Sequence, residues 1–218
     1  MITVHHLNKS RSQRILWLLE ELKLSYEVKF YERNPKTWLA PESLHEVHPL
    51  GKSPVLTDQD ITVAESGAII TYLLDSYGGD QLRPTSGTQE DRRFTYWLHY
   101  AEGSAISPLV LSLIFSKIET SPMPFFIRPV VSGISKNVKK VFINPQIKLH
   151  FDFMESELAK QTWFAGKEFT AADIQMSFPI ESAEGLGELK KRPHLTEFIR
   201  KIRARPAYKR ALKRGQMA

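Results

Sequence analysis

The chain has 218 residues, of which 42% are hydrophobic and 25% charged, ordinary values for a globular protein with room for two small domains or one large one. Disordered, collagen-like and fibrous proteins are excluded by that composition. There is no cysteine, which removes disulfides, zinc–thiolate sites, iron–sulfur clusters and cysteine nucleophiles. Any thiol chemistry must therefore use a ligand's sulfur.

No uninterrupted apolar run reaches the ~18 residues of a membrane-spanning helix, and the stretch from Met1 to Arg11 lacks the basic-then-apolar order of a leader. The expectation is a cytoplasmic protein without a membrane partner. The net charge of +6 is unevenly spread: 9 Lys/Arg against 11 Asp/Glu up to Ser86, then 21 against 13. Between Lys190 and Arg214 there are 11 basic residues and a single acid, Glu197. Such a cluster suits either a solvated helix face or an acidic partner such as nucleic acid.

In chain order, Ile2 and Val4 have strand spacing, and Arg14–Leu22 carries the dense apolar face of a helix. Tyr26, Val28 and Phe30 alternate with polar neighbours as in a strand. A Pro-bounded segment from Asn34 to Pro49 contains Pro41-Glu42-Ser43-Leu44, which suits a helix start. Two short strands are expected at Pro54–Leu56 and Ile61–Val63, split by the turn-like Asp58-Gln59-Asp60. A helix from Glu65 to about Tyr77 ends at Gly78-Gly79. The order β-α-β-α-β-β-α predicts a small α/β layer structure.

After the turn-rich linker at 81–87 the pattern is helical throughout. One helix is expected over Gln89–Lys117 and a second over much of Pro129–Lys160, ended or kinked by Pro145. Thr170-Ala171-Ala172-Asp173 reads as a capping box, in which each end residue bonds the other's backbone. Short helices over Pro193–Arg203 and Pro206–Lys213 close the chain.

The sequence pieces Ser10-Arg11-Ser12-Gln13-Arg14, His48-Pro49-Leu50-Gly51-Lys52-Ser53-Pro54-Val55-Leu56, Ala64-Glu65-Ser66-Gly67-Ala68-Ile69 and Phe169-Thr170-Ala171-Ala172-Asp173 occur in this order. Taken together, over nearly the whole chain, they resemble the soluble glutathione S-transferases, closest to bacterial and fungal members of the serine type. The resemblance implies a thioredoxin-like domain at 1–80, a linker at 81–87 and an all-helical domain at 88–218. It also implies a homodimer, with glutathione as co-substrate, no further cofactor and no metal.

A transferase of that kind delivers the sulfur of a bound peptide as thiolate. A free thiol has a pKa of ~8.5, so a donor aimed at the sulfur, near a helix N-terminus, favours the reactive form. The loop before the first helix offers Asn8, Ser10 and Ser12 but no tyrosine. Aligned on Arg14, Ser10 falls on the family's catalytic serine. Asn8 and Arg11 remain rival donors, and Ser12 is placed as the natural helix cap.

By the same resemblance, Ser53 and a cis Pro54 present backbone groups to the cysteinyl part of glutathione. Glu65 and Ser66 take its γ-glutamyl end at a helix N-terminus, and Lys52 faces its glycyl end. Glu102 is a further candidate for the peptide's amino group, contributed from the partner subunit. Trp38 has no firm role. A small hydrophobic electrophile is expected against Tyr100, Leu109, Leu113 and Phe115, although apolar residues at such spacing also serve as core.

Other matches fail. Gly51-Lys52-Ser53 resembles the end of a phosphate loop, but Glu46 stands where its first glycine belongs. His45-Glu46-Val47-His48 is one residue too short for a helical zinc-protease motif. Two other functions fit the same fold: glutathione-dependent peroxidase, dehalogenase or isomerase chemistry, and a non-enzymatic module using the basic C-terminal segment. Against nucleic acid, Phe198 and Tyr208 are the only aromatics in that segment, too few for a stacking platform.

Overall fold

A computed structural model describes residues 1–216. The first part contains β1 (Ile2–Leu7), α1 (Ser12–Glu21), β2 (Tyr26–Tyr31), β3 (Val55–Asp58), β4 (Ile61–Ala64) and α2 (Ser66–Tyr77). The strands form a four-stranded sheet in the order β2-β1-β3-β4. β1 pairs parallel with β2, Val4 opposite Val28, and antiparallel with β3, Val4 opposite Leu56. The apolar face read from the sequence of the first helix is buried throughout Ile15–Leu19. The Pro41 segment forms a single 3₁₀ turn, Glu42–Leu44, in place of a helix. Helix α2 stops at Gly78, whose φ of 71° is in the left-handed region where glycine carries no side-chain clash.

The second part is helical: α3 (Gln89–Tyr100), α4 (Ser107–Thr120), α5 (Arg128–Val138), α6 (Asn144–Leu158), α7 (Ala171–Glu184), α8 (Pro193–Ala204) and α9 (Pro206–Gln216). A π turn at Ala101–Ala105 joins α3 to α4, and another at Lys139–Ile143 joins α5 to α6. Pro145 therefore neither ends nor breaks the second long helix. A proline cannot donate to the residue four back, and in both helices the widened turn lies just before the proline, Pro108 in α4 and Pro145 in α6.

The continuous helix over Gln89–Thr120 contains a stretch long and apolar enough by composition to span a bilayer. Serines interrupt this stretch, which is why run length alone passed over it. Within the fold it packs inward through Phe94, Trp97, Leu98, Ala101, Ala105, Ile106 and Leu109, all buried. The two parts share one apolar core, in which Trp17 of α1 meets Tyr208 of α9 and Phe169 at ring-centroid distances of 5.1 and 5.7 Å.

The capping box is present at α7. Asp173 is fully buried and accepts from the Thr170 amide at 2.8 Å and from the Phe164 amide at 2.9 Å. Burial pushes its carboxyl up to about 6 against the pull of those amides. Asp173→Ala strips partners from two buried amides, at ~1–3 kcal/mol each when left unpaired. We expect a loss of about 2–4 kcal/mol, read as a lower urea midpoint at unchanged m-value.

Candidate active site

A cleft of about 510 Å³ opens where the sheet's β1–α1 loop, the loop after β2, the Gly51–Pro54 bend and the start of α2 meet the first long helix. Arg11, Lys52, Ser53, Pro54, Glu65, Ser66 and Glu102 all line it. The Ser53–Pro54 bond is cis, as the resemblance implies. Ser53 is fastened from both sides: its hydroxyl donates to the His5 carbonyl at 2.9 Å and accepts from the Leu7 amide at 3.3 Å.

Glu65 precedes α2 with φ at 72°, a left-handed conformation that costs a non-glycine residue about 1–3 kcal/mol and clusters at functional sites. Ser66 then opens the helix at the cleft wall. The amides of a first helical turn have no intrahelical partner, and the dipole there is positive. This wall can hold a carboxylate.

Ser10 and Ser12 sit behind the wall, both buried. Ser12 is not the cap expected of it. It is the first helical residue, and its amide donates to the Ser10 hydroxyl oxygen at 3.2 Å. The Ser10 hydroxyl lies 2.7 Å from that of Ser12 and 3.3 Å from that of the lining residue Ser53, but neither Ser10 nor Ser12 is itself part of the cleft lining. Asn8 does not join the cleft lining. Its side-chain oxygen accepts from the Arg33 amide at 3.0 Å, which fastens the loop to the chain after β2.

Glu102 enters the cleft from the π turn of its own chain. Arg14, 3% exposed, donates to Glu102 Oε1 at 2.5 Å, to the Gln175 carbonyl at 2.6 Å and to the Ser66 hydroxyl at 3.3 Å. Arg11 Nε lies 3.0 Å from Glu102 Oε2. Phe178 lies against both guanidinium groups. Burial lowers the Arg14 pKa and Glu102 opposes the shift.

The site also contains residues that sequence reasoning missed or left without a role. Arg33 lines the cleft and donates to the Asn8 and Trp38 carbonyls at 3.3 and 3.0 Å. Trp38, at φ 62°, lines it too, and Lys117 of α4 stands 4.0 Å over its ring. Arginine after a strand is an ordinary surface residue, so no pattern distinguishes Arg33. The apolar part of the cleft comes from Leu7, Trp38, Leu39 and Leu50. None of Tyr100, Leu109, Leu113 and Phe115 lines it: Tyr100 and Leu109 are core, Phe115 packs on the core, and Leu113 points to solvent.

Five of the eleven basic residues of the C-terminal segment are paired with carboxylates, Arg200 with Glu197 of the same helix among them. Arg205 pairs with Glu21, Arg210 with Glu20, Arg203 with Glu184, and Arg192 with Asp152 and Glu188.

A mixed sheet with a cis-proline bend leading into β3, and a helical bundle closing one side of the cleft, defines the glutathione S-transferase fold. The family's N-terminal domain model matches residues 1–75 and its C-terminal domain model matches residues 123–206. Glutathione S-transferase 3 of Schizosaccharomyces pombe is 35% identical over 209 residues, covering 95% of this chain and 85% of its own. A solved glutathione S-transferase of Actinobacillus pleuropneumoniae superposes with a TM-score of 0.78 at 35% identity, over 99% of this chain and 93% of its own. A glutathione transferase of Phanerochaete chrysosporium, solved with oxidized glutathione, gives 0.75 at 26% identity, over 98% and 96%. The chain belongs to the glutathione S-transferase family.

The two arginines on Glu102 should differ in weight. Glu102→Ala leaves the buried Arg14 charge without its counterion, for which we expect a loss of about 3 kcal/mol. Arg11→Ala removes a partner that is 35% exposed and should cost less than about 1 kcal/mol. Urea unfolding of both variants measures the difference.

Proposed function

We propose that the protein binds glutathione in this cleft and activates it as a thiolate for attack on a small hydrophobic electrophile. One observation carries the reading: the cleft lining brings together charged groups of both signs, as a peptide with two carboxylates and an ammonium group requires. Glutathione brings two carboxylates and an ammonium group. The lining carries the cations Arg11, Arg33 and Lys52 and the acids Glu65 and Glu102, of which Arg11 and Glu102 are paired with each other, and α2 opens on it at Ser66. The γ-glutamyl carboxylate goes to Ser66 and the first-turn amides, its ammonium group to Glu65, and the glycyl carboxylate toward Lys52.

Ser53 and Pro54 then hold the cysteinyl backbone, which brings the sulfur to the Ser10 hydroxyl. Ser10 acts as the thiolate donor. The electrophile rests on Leu7, Trp38, Leu39 and Leu50. The protein forms no covalent intermediate, because the bound thiolate is the nucleophile. The residues around 1–80 carry the peptide, and the helical part closes the pocket. Family resemblance, with apolar side chains left exposed on α4 and α5 (Leu113, Ile114, Val130 and Ile134), supports a homodimer.

Titration calorimetry with reduced glutathione and S-hexylglutathione tests the site: both should bind, the hexyl derivative more tightly. Binding of neither removes the reading. Ser66→Ala should weaken glutathione binding about tenfold, the loss of one hydrogen bond to a charged group. Ser10→Ala should raise the pKa of the bound thiol by at least ~1 unit, equivalent to ~1.4 kcal/mol. An unchanged thiol titration would clear Ser10 of the role.

A further inference from the structure

Behind Ser10 the hydroxyls continue inward to a base. Ser10 Oγ is 2.7 Å from Ser12 Oγ, which is 2.9 Å from Nδ1 of His6 on β1. His6 is 4% exposed and Ser12 fully buried, so the run is sealed from solvent except at Ser10. We propose that His6, acting through Ser12 and Ser10, accepts the proton of the bound thiol and thereby sets the direction in which the Ser10 hydroxyl points. This inference rests on the reading of Ser10 as the thiolate donor.

The Ser53 proton goes to the His5 carbonyl, so Ser53 has none to give Ser10. Ser12 has one hydroxyl proton and two neighbours, Ser10 and His6. When Nδ1 is bare, Ser12 must donate to it. Ser10 then donates to Ser12, its nearer acceptor at 2.7 Å against 3.3 Å for Ser53, and its lone pair is left for the sulfur. In that state Ser10 can accept from a thiol but cannot donate to a thiolate.

When Nδ1 carries a proton the order reverses. His6 donates to Ser12, Ser12 to Ser10, and Ser10 to the sulfur. One concerted shift connects the two states. The S–H bond breaks as an O–H bond forms on Ser10. The former Ser10 proton moves to Ser12, and the former Ser12 proton moves to Nδ1. The products are a thiolate held by Ser10 and an imidazolium at His6, with no proton lost to solvent and nothing oxidised or reduced.

The surroundings of His6 suit a proton acceptor that is neutral at rest. Burial lowers its pKa, and a backbone interaction with Gly215 of α9 favours the protonated ring. The Phe30 ring from β2 stands edge-on at 5.6 Å. The titratable groups on the packed elements have other partners. His5 bonds Tyr31 and Thr57, the Lys29 charge acts on His5, Arg14 is held by Glu102, Arg11 faces Glu102, and Arg214 donates to the Tyr26 carbonyl. The thiolate is thus the counter-charge that the imidazolium meets, through two hydroxyls.

The decisive measurement is the proton balance of glutathione binding, taken by calorimetry in two buffers of different ionisation enthalpy, beside the ultraviolet absorbance of the thiolate. Near pH ~7, the wild-type protein should form thiolate while releasing well under one proton per thiolate. Asparagine can bond Ser12 but cannot take up a proton, so in His6→Asn each thiolate formed should release about one proton. The bound thiol's pKa should rise by about one unit, giving about a tenfold loss of kcat/KM at mildly acid pH. The loss should vanish at alkaline pH, with KM for glutathione unchanged.

Ser12→Ala cuts the same chain and should behave likewise, so it decides the matter if His6→Asn fails to fold. One proton released per thiolate by the wild-type protein would overturn the relay, as would wild-type titration of the folded variants. Ser10→Ala separates the two ideas. If it alone shifts the thiol titration, Ser10 keeps its role and the relay falls. If it shifts nothing, the underlying reading falls first.

Discussion

The site depends on a charge that the fold buries. Arg14 sits on the first helix of the sheet part, yet its guanidinium ties together Ser66 on α2, the Gln175 carbonyl on α7 and Glu102 in the π turn of the long helix. An isolated cation at that depth would be very costly, so the partners must stay in place for the chain to remain folded. The consequence is geometric. Three elements from both parts of the molecule meet at one planar group, and the cleft is the space left beside it. Closing the sheet part against the helices also aligns the first turn of α2 with Glu102.

That constraint explains why Glu102 takes part at all. In a regular α-helix its position would follow from the 100° step of its neighbours. The π turn at Ala101–Ala105 adds a residue to the turn and re-aims the side chain. Glycine at 103 and proline at 108 weaken the regular hydrogen-bond ladder nearby. Glu102 can then carry two arginines, the buried Arg14 on Oε1 and the cleft-lining Arg11 on Oε2. Its partly exposed position lets a carboxylate serve a buried cation without itself being stranded.

The legible features are those with local causes. Strand alternation at Tyr26–Phe30, the apolar face of α1, the glycine stop at Gly78 and the capping box at Thr170–Asp173 each follow from a few adjacent residues, and each is found. The cis bond before Pro54 and the cleft positions of Lys52, Glu65 and Ser66 were legible only through the family motifs. The rest needed three-dimensional information. Arg33 is aimed by hydrogen bonds to Asn8 and Trp38, which no periodicity encodes. The π turns replace regular helix by a change that leaves the apolar pattern almost intact. His6 alternates with His5 along a strand, and nothing in the sequence says that one of them meets the serines of the next loop.

The uneven charge of the chain is resolved in the same way. The C-terminal segment carries most of the positive excess, while the first part is net acidic. Helix α9 lies along α1, where Arg205 and Arg210 meet Glu21 and Glu20, and Arg214 covers the Tyr26 ring at 4.5 Å and donates to its carbonyl. Two of the basic residues late in the sequence thus neutralise acids near its beginning and fasten α9 to α1. The same docking brings the Gly215 backbone to His6. A helix attached by charge to the outside of the sheet part is therefore connected, through one imidazole and two hydroxyls, to Ser53 at the cis-proline bend.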